Sequence, residues 1–176
     1  MTGRKDESTL AHYKLRACAQ GVMTALLTLS YGLAVAEPTG GQVVGGAGSI
    51  SHAALNTTIN QTSQNMAIDW QSYNVNVDER VQYIQPNSSS LSLNRILSNT
   101  GSTIAGRIDA NGQVILVNPN GVVFTKTAVI DVGGMIASGL NISSDDFMNG
   151  NYIFNEVLGA EGAVINSGMY IMRSLI

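Results

Sequence analysis

The chain has 176 residues, with nine Lys and Arg against twelve Asp and Glu for a formal net charge of −3, and it is 44% hydrophobic but only 12% charged. That length suits one domain with a real core, and the lack of a basic excess argues against nucleic acid and anionic membrane surfaces as partners. An ordinary soluble domain carries about twice this share of charge, so uncharged polar side chains must cover the surface.

The charges are unevenly placed. Arg4, Lys5, Lys14 and Arg16 precede a charge-free run at 17–36 (ACAQGVMTALLTLSYGLAVA). A basic start, a short apolar centre and small residues before a polar stretch form the profile of a secretory signal peptide. The apolar centre, 22–33, is too short for a membrane span of about twenty residues. Ala34 and Ala36 stand three and one residues before the expected cut, Glu37 follows it, and Pro38 stops a helix from continuing. Residues 1–36 are therefore expected to be a leader, handled by the general secretory machinery and signal peptidase. Removing it leaves five basic and ten acidic residues, 5 − 10 = −5, and takes away Cys18, the only cysteine. An exported chain without a disulfide must be held by regular hydrogen bonding and packing.

Residues 37–56 begin with the Gly-rich segment EPTGGQVVGGAG and are expected to form an extended mature N-terminus ahead of the main domain at 57–176. In that domain TTINQTSQN (57–65) leads into MAIDW (66–70), whose apolar residues alternate as on a half-buried strand. SYNVNV (72–77) alternates likewise, and Asp78, Glu79 and Arg80 make a charged turn. VQYIQ (81–85), the break PNSSS (86–90), LSLNRI (91–96) and the turn SNTGS (98–102) follow. Further on, GQVILV (112–117) ends in NPNG (118–121), then VVF (122–124), AVIDV (128–132) and GGMIA (133–137). Asn, Gly and Ser supply turns, Val, Ile and Thr supply strands, and the units recur about every 8 to 12 residues. AVIDVGGMI at 128–136 is echoed by AVINSGMYI at 163–171, an offset of 163 − 128 = 35. Short strands with Asn and Gly corners predict a parallel β-helix or solenoid, while a β-sandwich fits the strand lengths equally.

Catalytic raw material is scarce. After the leader only His52 remains among histidines, and its polar setting reads as surface. The adjacent pairs Asp78-Glu79 and Asp145-Asp146 read as turns and caps, because paired glycosidase carboxylates must face one another across a site. Trp70 and Tyr73 read as core or cap aromatics, and the Gly-rich 37–48 segment lacks the context of a phosphate loop. No catalytic residue, metal site or cofactor is expected.

Several blocks together resemble a known family. IDWQSYNVNVDERVQYIQPNSSSLSLNRI (68–96), GRIDANGQVILVNPNGVVF (106–124), IDVGGMIASGLNIS (130–143) and NYIFNEV (151–157) are similar to the amino-terminal secretion domain of two-partner-secretion exoproteins, the filamentous haemagglutinin and high-molecular-weight adhesin group. The most specific element is the NPNG motif. The resemblance implies a right-handed parallel β-helix with an N-terminal cap, exported to the periplasm and then secreted or held at the cell surface. It implies recognition by the polypeptide-transport-associated domains of an outer-membrane β-barrel transporter, and a host surface as the target of a full-length form. It also marks Asn94, Arg95 and Ile96, and Asn118, Pro119, Asn120 and Gly121, as the residues sensitive for secretion and partner recognition. The family carries many further rungs, so the β-helix ending at Ile176 is expected to be incomplete, with an apolar open edge at 171–176. A cytolysin or contact-dependent toxin could carry the same secretion domain. A β-helix polysaccharide lyase is the alternative from another class, and it needs clustered Asp with an Arg or Lys base.

Overall fold

In the run NMAIDW, alternation puts Met66, Ile68 and Trp70 on one strand face, and all three are buried. The structure, a computed structural model, describes residues 38–172. Ala34, Ala36, Glu37 and Cys18 lie outside the described residues.

The described chain starts with two strands, β1 (Gln42–Gly45) and β2 (Gly48–Ala53), and continues into β3 (Asn56–Gln61) and β4 (Asn65–Trp70). Successive coils then follow: β5 (Arg80–Ile84), β6 (Leu91–Ile96) and β7 (Ser102–Ile104), then β8 (Arg107–Ala110), β9 (Gln113–Val117) and β10 (Val122–Phe124). The next coil holds β11 (Val129–Val132), β12 (Gly134–Ser138), the short helix α1 (Ser144–Met148) and β13 (Val164–Asn166), and β14 (Met169–Met172) opens another.

The strands form three sheets, ordered β1-β4-β6-β9-β12, β13-β10-β7 and β14-β11-β8-β5-β3-β2, and from β3 and β4 onward successive coils stack in parallel. Met66 lies beside Ser92, Ser92 beside Val114 and Val114 beside Met135, so one inward position repeats from coil to coil. This is the parallel β-helix, and the parallel pairing between coils rules out the antiparallel sandwich. The backbone polar groups of the strands inside each stack are met by the coils on either side, which makes disulfides unnecessary.

Within the segment expected to be extended ahead of the domain, residues 42–53 form two strands that are paired. β1 runs antiparallel to β4 and β2 antiparallel to β3, and together they cap the coil where the parallel stack begins. SYNVNV was expected as a strand, and the structure gives only isolated bridges, Ser72 with Thr39 and Val75 with Ile104, although Tyr73 and Val75 point inward and are buried. Of the expected charged turn at 78–80, Glu79 is buried and accepts a hydrogen bond from the Asn76 N–H at 2.8 Å, while Arg80 opens β5. The 35-residue echo does not mark the structural repeat. Val129 stacks on Met169, an offset of 169 − 129 = 40, because the chain leaves the coil between β12 and β13.

The core has two parts. Inside the coil lie residues such as Ile59, Ile68, Val81, Ile108, Leu116, Phe124 and Ile130. A second cluster lies on the outer face of the five-stranded sheet, where Ala67, Leu93, Ile115 and Val117 are covered by Ile142 and Phe147. Those two residues belong to the 139–163 excursion. Within it Ser143 caps α1, its Oγ accepting from the Asp146 N–H at 3.0 Å, and Asp145 and Asp146 occupy the first turn, where carboxylates suit the helix dipole.

Candidate functional site

LSLNRI becomes β6, and alternation sends Asn94 and Ile96 inward and Arg95 outward. Asn94 is wholly buried, so its amide must find partners inside the coil. Its Oδ1 accepts from Trp70 Nε1–H at 3.0 Å and from the Tyr83 hydroxyl at 2.9 Å, and its Nδ2 donates to Ser92 O at 3.2 Å and Ile115 O at 3.3 Å. The Tyr83 and Tyr73 hydroxyls lie 2.7 Å apart, and Trp70 meets Tyr73 edge-on at 5.5 Å. Burial pushes both phenols well above their ordinary pKa, so this network is neutral across physiological pH. Ile96 sits next in the same inward column, beside Trp70.

Arg95 works on the outside. Its Nε and Nη2 grip Asp69 at 2.7 and 2.8 Å in a fork, and its Nη1 donates to Ile142 O at 3.2 Å. It thereby ties the 139–163 excursion to the coil.

The NPNG motif is a corner between β9 and β10. Asn118 is fully buried: its Nδ2 donates to Thr100 O at 3.1 Å and Ser102 Oγ at 3.0 Å on the coil before, while its Oδ1 accepts from the Asn120 N–H at 2.9 Å. Pro119 O accepts from the Gly162 N–H at 2.9 Å on the coil after. Asn120 Nδ2 reaches Ser98 O at 2.9 Å. Gly121 closes the turn at φ +97°, where an added Cβ would stand 2.8 Å from Ala163 O. The corner is therefore clamped between SNTGS (98–102) and residues 160–163.

The two flagged blocks meet beside one shallow groove of about 310 Å³, lined by Ile96, Leu97, Pro119, Asn120, Val157 and Leu158 among others. Leu97 is 63% exposed and Leu158 fully exposed, which gives this corner an apolar rim. Ile96 and Asn120 reach the groove, whereas Asn94, Arg95 and Asn118 support it from inside or from the sheet face. The acceptors that hold Asn118 and the Asp69 partner of Arg95 escaped the sequence reading. The SNTGS turn is the signal that could have located the former.

The structure also stacks charges that sequence reading left separate. Arg80 contacts Asp109 at 2.6 Å, Arg107 contacts Asp109 at 2.6 Å and Asp131 at 2.9 Å, all on the outer face of the six-stranded sheet. These two carboxylates are each engaged by a guanidinium. His52, exposed on β2, lies 3.0 Å from Thr57 Oγ1 through its Nδ1. Among the described residues no group of three or more His, Cys, Asp and Glu is placed to hold a metal. Among them, too, no helix is long and apolar enough to cross a membrane, which bears on helices alone.

Comparison with known proteins places this geometry. A family model described as the TPS secretion domain matches residues 34–172. A heme/hemopexin-binding protein of Haemophilus influenzae is 34% identical over 167 residues, 93% of this chain and 18% of that protein. A second heme/hemopexin-binding protein from the same organism is 33% identical over 127 residues, 72% of this chain and 14% of that protein. The chain thus spans less than a fifth of the length of these curated relatives. The crystal structure of the HMW1 secretion domain from Haemophilus influenzae superposes with a TM-score of 0.71 at 32% identity, over 77% of this chain and 36% of that one.

Proposed function

The chain belongs to the TPS secretion-domain family, and on that premise we propose that it is the targeting module of a larger exported protein, handed to a dedicated outer-membrane β-barrel transporter. Residues 1–36 direct it through the inner membrane by the general secretory route, and cleavage after Ala36 frees Glu37 in the periplasm. The transporter's polypeptide-transport-associated domains then receive it on the way to the surface. The observation that carries this reading is the meeting of the 94–96 and 118–121 blocks at one corner of the coil.

Mechanistically the module supplies order rather than bond chemistry. An extended segment offers unpaired backbone groups that a partner strand can engage. Once outside, the buried amides of Asn94 and Asn118 find partners only when neighbouring coils are in register, so folding pulls the chain outward and opposes its return. In this reading Asn94, Arg95, Asn118 and Gly121 act by building the corner, and Ile96, Pro119 and Asn120 present it. In this reading the chain carries no reaction of its own, and Asp109 and Asp131 serve the coil, tied to Arg80 and Arg107 on the outer sheet face. Heme/hemopexin-binding proteins among the relatives favour a cargo that binds heme or hemopexin over a cytolysin or contact-dependent toxin.

The test is export. The chain is expressed in a Gram-negative host with and without a two-partner transporter, and the chain in the medium is quantified. Release only with the transporter is expected. Equal release in its absence, or turnover of oligosaccharide by the purified chain with calcium, would contradict the proposal.

A further inference from the structure

The six-stranded sheet ends at β2, and among the described residues nothing pairs with its outer edge. Natural sheets blunt such edges with a charge, a proline or a bulge, because unpaired N–H and C=O groups recruit another strand. β2 has none of these. Its sequence is GSISHA, and its register on β3 runs unbroken from Gly48 opposite Gln61 to Ala53 opposite Asn56. β1, which starts the adjoining five-stranded sheet, is bulged: its register on β4 shifts between Val43 and Gly45.

The direction of the free groups follows from the ladder. The Thr62 N–H donates to Ala47 O at 2.9 Å, which continues the β2–β3 pairing, so residues 47, 49 and 51 face β3. Antiparallel ladders alternate, and the N–H and C=O of Gly48, Ile50 and His52 therefore point away from the sheet.

We propose that β2 pairs antiparallel with β2 of a second copy of this chain, about a two-fold axis at Ile50, joining two six-stranded sheets into one. In that register Ile50 exchanges both hydrogen bonds with its own copy, and Gly48 exchanges both with His52 of the other. The pairing is isologous and closes after two chains. Ser49 faces Ser51 of the second copy as a non-hydrogen-bonded pair, the closer kind, with Cβ atoms about 4.5–5.5 Å apart. Gly48 brings no side chain against the His52 ring, and β2 carries no Asp, Glu, Lys or Arg to repel its copy. Most of β2 is exposed on both faces, with Ile50 alone half-buried, so few apolar contacts add to the main-chain bonds. One strand pair also buries far less than the ~1,200 Å² of a standard interface, which sets a weak dimer, with a Kd on the order of 0.1–1 mM.

Sedimentation equilibrium of the full chain over about 10 μM to 1 mM reads this directly. The expected result is a rise from monomer toward dimer mass. In the double variant Ser49→Asp, Ser51→Asp, each Asp faces an Asp, and association weakens at least about threefold. Ser49→Lys with Ser51→Asp places Lys against Asp at both pairs and restores it. Ile50→Pro removes an outward N–H and abolishes association, with circular dichroism checking that the fold is kept. A monomer throughout, a dimer indifferent to the two Asp, or failure of the Lys and Asp pair to restore association overturns the proposal.

Discussion

Replacing Asn94 by Leu isolates what the interior hydrogen bonds contribute. Leu has nearly the same shape, so the substitution leaves little cavity and the loss is polar. Two buried donors lose their acceptor, Trp70 Nε1–H and the Tyr83 hydroxyl. Tyr83 keeps the Tyr73 hydroxyl as a partner, so the larger cost falls on Trp70. A buried donor left unpaired costs about 1–3 kcal/mol, and weakened pairing at Tyr83, Ser92 O and Ile115 O adds to it. The expected loss is therefore about 2–4 kcal/mol. Equilibrium urea unfolding followed by Trp70 fluorescence should show a lower midpoint with an unchanged slope, since the surface exposed on unfolding is the same. A Leu variant as stable as the wild type would show instead that a dry apolar column serves the coil equally well, and that the buried amide contributes nothing net.

Other expectations follow from the same packing. The Tyr73 and Tyr83 phenols titrate well above 10 in the folded state but near 10 when unfolded, so ionisation favours the unfolded chain. Their contribution is intact below pH 10 and is lost as the pH rises above it; absorbance near 295 nm should show these two ionising only with unfolding. Arg95→Lys cannot reproduce the fork on Asp69 together with the bond to Ile142 O, and amide exchange at Phe147 and Asn149 should speed several-fold while the coil strands stay protected. Gly121→Ala forces a side chain into a left-handed turn against Ala163 O and should cost about 1–3 kcal/mol by thermal or urea unfolding. Unchanged exchange at Phe147 and Asn149, or a Gly121→Ala chain as stable as the parent, would count against the corner described above.

Much of the architecture was legible from local pattern. Alternation in NMAIDW and LSLNRI, the continuous apolar run of QVILV and the NPNG corner all report on geometry within a few residues, and each became the strand or turn expected. What sequence reading lost is non-local. Trp70 and Asn94 are 24 residues apart, as are Arg107 and Asp131, and Arg80 and Asp109 are 29 apart. The length of each coil sets which residues stack, and turns of unequal length hide that spacing. The 139–163 excursion breaks the count altogether, which is why the 35-residue echo pairs segments that lie in different sheets, β11 and β13. Asn94 and Arg95 were flagged together as neighbours in sequence, yet pleating sends one into the core and the other onto the outer cluster. Residues 42–53 looked unspecific because Gly and Ser give weak strand signals, and pairing with β3 and β4 decides their structure.

If the motif residues serve secretion by building the corner, stability and export must fall together. The secreted fraction of Asn118→Ala, measured beside that of Leu158→Ser with the transporter present and normalised to total chain, decides this. Asn118 holds Thr100, Ser102 and Asn120 together, so its loss should cut secretion severalfold and lower the unfolding midpoint in parallel. Leu158, fully exposed, should leave the midpoint unchanged. Full secretion of a destabilised Asn118→Ala chain would contradict a corner that serves export through its fold.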